Sequence, residues 1–85
     1  MAYKVAFSKS AHKELSRLPK NIYLKVEVFV DALIENPRPP GCKKLVGSKN
    51  TYRIRVADYR IVYDVYDDII EILIIKIGHR KDVYK

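Results

Sequence analysis

The sequence predicts an α+β fold with the element order β-α-α-β-β-β: two N-terminal helices packed on a small, mostly antiparallel four-stranded sheet. Three observations predict it. Apolar residues recur at helical spacing between Ser8 and Glu35, and strict two-residue alternation governs Tyr52 to Val56. A dense isoleucine run then fills Ile69 to Ile77.

Taken in order, Tyr3 to Phe7 alternates as a short strand, with Tyr3, Val5 and Phe7 on one face. Ser8 or Ser10 supplies a helix cap, and Ala11, Leu15 and Leu18 form one apolar stripe before Pro19. A second helix runs from about Asn21 to Glu35, with Ile22, Val26, Phe29, Val30 and Leu33 on its inner face. Asn36-Pro37 ends it, because a residue before proline avoids the α region. Pro37 to Gly41 is a stiff connector, and Cys42 to Asn50 reads as a basic loop anchored by Leu45 and Val46. Tyr52-Arg53-Ile54-Arg55-Val56 and Tyr59-Arg60-Ile61-Val62-Tyr63 form a hairpin around Ala57-Asp58. That two-residue turn pairs Val56 with Tyr59, Arg55 with Arg60 and Arg53 with Val62. Asp67-Asp68 is expected to make a second two-residue turn, pairing Tyr66 with Ile69 and Arg60 with Ile75. The isoleucine run reads as a central strand buried on both faces and broken at Gly78.

With 85 residues the chain is expected to form one domain, 1–85, with one modest core. The 48% hydrophobic and 32% charged fractions are those of a folded chain. No apolar run approaches the roughly 20 residues that span a bilayer, and Met1 to Lys4 opens no signal peptide. A single cysteine, Cys42, allows no internal disulfide and no cysteine metal cluster. A cytoplasmic location without membrane contact is the expectation. Seventeen Lys and Arg against ten Asp and Glu give a net charge of +7, which favours nucleic acid or an acidic protein as partner. The alternative is a merely basic chain.

Arg55 opposite Arg60 is the sharpest local feature. Like charges facing across a hairpin cost on the order of a few tenths to 1 kcal/mol, so a purely structural hairpin gains nothing from them, whereas a bound anion would. Arg53 shares the face of Arg55. The expected pairing also returns His79 and Arg80 to the same sheet end, with Tyr84 within reach. Arginine forks suit phosphate oxygens, while tyrosine and histidine stack on bases or move protons. No phosphate-binding lysine loop, magnesium carboxylate cluster or Ser-His-Asp arrangement is present in the sequence. RNA cleavage by such a set would proceed without metal or other cofactor, with the 2′-hydroxyl as nucleophile. Arg53 as a solvated strand residue and His79 as a polar loop residue remain open alternatives. Lys43, Lys44 and Lys49 read as a nucleic-acid-facing rim or as a solvated loop.

Tyr52-Arg53-Ile54-Arg55, Asp58-Tyr59-Arg60-Ile61-Val62-Tyr63 and Ile77-Gly78-His79-Arg80-Lys81-Asp82-Val83-Tyr84 resemble the core motifs of the RelE/ParE toxin superfamily. The Ser8 to Leu15 segment and the Leu18-Pro19 break fit the same pattern. The resemblance implies the toxin of a type II toxin–antitoxin system, held inactive by an acidic, RelB-like cognate antitoxin. In the RelE branch it implies a ribosome-dependent endoribonuclease, an mRNA interferase that cuts translated mRNA in the A site. It implies Arg53, Arg55, Arg60, Arg80 and Tyr84 as the catalytic set, with His79 beside them and Lys81 joining Lys43, Lys44 and Lys49 in RNA and ribosome binding. Arginines stand at two positions where the family carries lysines, so Tyr84, His79 or the ribosome must supply any base. The other branch implies a ParE-like gyrase poison, and a third reading is an inactive relative that only binds an antitoxin.

Overall fold

The computed structural model describes residues 2–79. They form β1 (Lys4–Phe7), α1 (Lys9–Ser16), α2 (Lys20–Glu35), β2 (Lys43–Lys44), β3 (Thr51–Val56), β4 (Tyr59–Tyr66) and β5 (Glu71–His79). The fold is α+β as expected, but the sheet has five strands, in the order β1-β5-β4-β3-β2. β1 runs parallel to β5, and the other pairings are antiparallel. The fifth strand is β2, within the segment expected to be a loop. A turn containing Gly47 at φ 83 folds that segment back, so that Lys43 pairs with Arg53 and Lys44 with Tyr52. Val46, expected to anchor the loop, is fully exposed on this turn.

Ser8 caps α1: its hydroxyl accepts from the Ala11 N–H at 3.0 Å and donates to the Ile75 carbonyl at 2.6 Å, fastening the helix to β5. Both helices lie on one face of the sheet. Ala11, Ile22, Val26 and Leu33 there meet Ile54, Ile61, Tyr63, Val65, Ile72, Ile74 and Ile77. β5 is therefore buried on one face and half-buried on the other, not buried on both; Leu73 and Ile75 keep partial exposure on the uncovered side.

The first hairpin has the expected register: Val56 pairs with Tyr59, Arg55 with Arg60 and Arg53 with Val62. Ala57 turns the corner with φ 55, a conformation that costs an L-residue about 1–2 kcal/mol. Ala57→Gly is expected to raise stability by about 0.5–1 kcal/mol, the relief of strain exceeding glycine's extra chain entropy. A higher urea midpoint at unchanged slope checks it.

The second hairpin differs from expectation. Its turn takes four residues, Asp67 to Ile70, with Ile70 at φ 54, so Tyr66 pairs with Glu71 and not with Ile69. A bulge at Val62/Tyr63 then moves the register by one more residue, setting Ile61 opposite Ile77 and Arg60 opposite Gly78. β5 continues through Gly78 to His79, because Gly78 is a paired and buried strand residue, not a break.

One polar cluster ties the connector to the sheet. Arg38 donates to the Tyr52 hydroxyl at 2.9 Å and to both Asp67 carboxylate oxygens, at 3.3 and 2.7 Å, while the Tyr3 hydroxyl donates to Asp67 at 2.7 Å. These bonds, that of Arg38 first, hold the Asp67 carboxyl below its usual value near 3.8. A depressed carboxyl stabilises the fold above its unfolded-state pKa and loses that contribution as pH falls through the folded one. The stability difference between wild type and Asp67→Asn is thus expected to be steady above about pH 5 and to shrink below the usual aspartate range. Urea melts from pH 6 to pH 2 read this directly.

Candidate functional site

The face of the sheet away from the helices carries the site. Pairing across β2, β3, β4 and β5 lays down two rows on it: Lys43, Arg53, Val62 and Lys76 in one, Arg55, Arg60 and Gly78 in the other. Gly41, Lys43, Arg53, Ile54, Arg55 and Arg60 enclose a concavity of about 260 Å3. Four of its six walls are cations, so its chemistry is that of an anion cradle. A second hollow of about 220 Å3 at the other end of this face is lined mainly by apolar groups, among them Ala6, Ile69 and Leu73.

The cationic residues are held differently. Arg60 is half-buried on β4, the middle strand, with side-chain-free Gly78 on one side and Arg55 on the other. Arg55 folds back toward the turn: its Nε donates to the Ala57 carbonyl at 2.8 Å, and its Nη2 lies 3.5 Å from Asp58. This contact relieves the like-charge pairing with Arg60, and since both partners are more than half exposed it is a weak one. Arg53 is half-buried between Lys43 and Val62.

Of the other residues singled out from sequence, His79 pairs with Tyr59, and the two rings meet edge to face with centroids 5.5 Å apart. Strand alternation sets this pair on the helix-side face, one position from Arg60 and Gly78. His79 therefore reaches the same sheet end as the arginines on the opposite face. Lys44 pairs with Tyr52, away from the concavity, and Lys49 is exposed in the 45–50 segment. Arg80, Lys81 and Tyr84 lie outside the described residues. Among the described residues no three His, Cys, Asp or Glu side chains come together as a metal site, and no helix is long and apolar enough to cross a membrane.

Sequence reasoning missed two residues. Asp58, read only as a turn residue, is the partner of Arg55. Lys76 lies exposed on the same face as the arginines. Glu71 and Lys76 are five positions apart, and both face outward. Strict alternation forbids that, so the pair signalled the bulge.

Known proteins share this chain's sequence pattern and fold. The family model described as the ParE toxin of the type II toxin–antitoxin system parDE matches residues 5–84. Toxin RelE3 of Methanocaldococcus jannaschii is 33% identical over 85 residues, covering 95% of this chain and 94% of its own length. The mRNA interferase toxin RelE of Escherichia coli (strain K12) is 30% identical over 83 residues, covering 95% of this chain and 86% of its own. A chain of the archaeal RelE–RelB complex from Pyrococcus horikoshii OT3 superposes with a TM-score of 0.85 at 35% identity, over 94% of this chain and 97% of that one. The protein thus belongs to the RelE/ParE superfamily of type II toxin–antitoxin toxins.

Proposed function

We propose that this protein is a ribosome-dependent, metal-independent mRNA interferase that cleaves translated mRNA in the A site and so arrests growth. The concavity between Arg53, Arg55, Arg60 and Lys43 is the observation that supports this reading most. In the reaction the 2′-hydroxyl attacks the neighbouring phosphorus and the bond to the 5′-oxygen breaks. A proton leaves the 2′-oxygen and one is delivered to the departing 5′-oxygen. The phosphorane formed on the way carries more negative charge than the diester, and guanidinium donors gain most against that state. Guanidinium groups do not accept protons at neutral pH, and His79 lies on the opposite face of the sheet, so Tyr84 or the ribosome takes the 2′-proton. Arg80 adds a further cation, and Lys44, Lys49 and Lys81 add to the rim that meets ribosomal RNA. An acidic RelB-like antitoxin covering the basic face would silence the toxin in the cytoplasm.

Inducing the protein and mapping mRNA ends tests the reading. New ends are expected within translated reading frames and not in the same transcripts when translation is blocked. Intact mRNA with DNA-damage signalling overturns it in favour of gyrase poisoning, which the ParE description of the matching family model supports. Absence of any growth effect overturns both in favour of an inactive, antitoxin-binding relative.

A further inference from the structure

The bulge decides what β5 shows to the open face. Had the pairing of Tyr63 with Ile74 continued without interruption, Val62 would face Ile75, Ile61 would face Lys76, and Arg60 would face Ile77. Lys76 would then point at the helices among Ile61 and Ile74, a buried and unpaired charge. The extra residue in β5 turns the strand over. Ile77 enters the core with 1% exposure, Gly78 lies opposite Arg60, and Lys76 comes out exposed opposite Val62. A bulge of this kind re-aims a side chain at the cost of one ladder position.

The row that results is Lys43, Arg53, Val62, Lys76, one residue per strand across β2, β3, β4 and β5. Adjacent strands lie about 4.8 Å apart, so Lys76 stands roughly 10 Å across the sheet from Arg53. Val62, half-buried, is the apolar step between them. Two nearby carboxylates are engaged with other groups, Asp58 with Arg55 and Asp64 with Thr51 and Tyr66.

We propose that Lys76 is a second phosphate-binding position, outside the arginine concavity, which holds a neighbouring phosphate of a single-stranded RNA lying across the sheet with a ribose or base over Val62. This rests on the reading of the concavity as an RNA phosphate site and adds to it a direction: the strand runs across β4 from Arg53 toward β5. A lone phosphate engages only the concavity, whereas an oligonucleotide engages both positions. Lys76 thereby selects chain over monomer.

The test is binding of a fluorescently labelled single-stranded hexanucleotide, 2′-deoxy at every position so that it is not cut, to the full chain over a range of salt. Lys76→Ala is expected to weaken binding about five- to tenfold at low salt. It should also reduce the slope of log affinity against log salt by about 0.7, the value for one phosphate contact on a single strand. Competition by inorganic phosphate should be unaffected by the variant, and Lys76→Arg should restore the slope. Lys25→Ala, on the solvent side of α2, controls for net charge and should leave the slope unchanged. If Arg60→Ala weakens the hexanucleotide but Lys76→Ala behaves as Lys25→Ala does, the second position is overturned and the concavity stands. If neither variant matters, or the wild type does not bind, both fall. If a polyglutamate peptide depends on Lys76 as strongly as the hexanucleotide does, the position belongs to an acidic protein partner and the RNA assignment is overturned.

Discussion

Replacing Arg60 with alanine is expected to lower mRNA cleavage on programmed ribosomes by about a hundredfold or more, the loss typical of one preorganised donor to a developing anion. The expectation follows from its position. Arg60 is half-buried on the middle strand, flanked by Gly78 and Arg55, so its guanidinium works in a less polar setting than a surface arginine and with fewer conformations to lose. Arg55→Ala should cost much less, about tenfold, because Arg55 is exposed and already engaged by Ala57 and Asp58. Arg60→Lys should fall between, keeping the charge and losing the fork. The variants should melt close to wild type, which separates a lost donor from a lost fold. Cleavage by Arg60→Ala within about threefold of wild type would remove this residue from the mechanism.

Tyr63→Ala is expected to destabilise the protein by about 3–5 kcal/mol, a large part of what a domain of this size has in total. Tyr63 is fully buried. Its ring meets Phe29 edge to face with centroids 6.1 Å apart and stacks on Tyr52 at 6.0 Å, and its hydroxyl donates to the Pro37 carbonyl at 3.0 Å. One side chain thus joins α2, β3 and the connector. Burial pushes its phenol well above the usual tyrosine value, so the hydroxyl stays protonated and able to donate. Tyr63→Phe keeps the packing and leaves the Pro37 carbonyl without this donor, for an expected loss of about 1 kcal/mol. Urea unfolding of the pair apportions ring and hydroxyl; a loss below about 1 kcal/mol for the alanine variant would contradict the packing argument.

The first hairpin was legible because alternation and turn length act together. Tyr52 to Val56 carries a charge at every second position, so only one phase is possible, and a two-residue turn leaves only one register. The Arg55–Arg60 pair follows from those two constraints. The second hairpin was not legible for the opposite reason. Ile69 to Ile77 is apolar at all but two positions, so the pattern carries almost no phase, and Ile70 occupies a left-handed turn position that β-branched residues normally avoid. Lys43-Lys44 was hidden as well, since two residues are too few for any periodicity; they became a strand because the Gly47 turn returned them to β3. Lysines on such an edge also discourage pairing with another chain. The expected strand pairing already brought Arg80 and Tyr84 toward the arginines, and the motif resemblance added their catalytic roles and Lys81.

Among the described residues β1 has no hydrogen-bonded strand neighbour other than β5, and the two run parallel, Lys4 beside Glu71 and Phe7 beside Ile74. During synthesis β1 must therefore wait for β5. Until β5 is made, α1 lacks the surface on which Ser8 and Ala11 settle, and the closing contact spans almost the whole chain, a slow step by loop-closure entropy. A protein proposed to attack translation is thus built so that its own sheet closes only after β5 has been synthesised. The interval before closure, when β1 and the isoleucine-rich β5 are both unpaired, is when an early-binding partner would have most to offer.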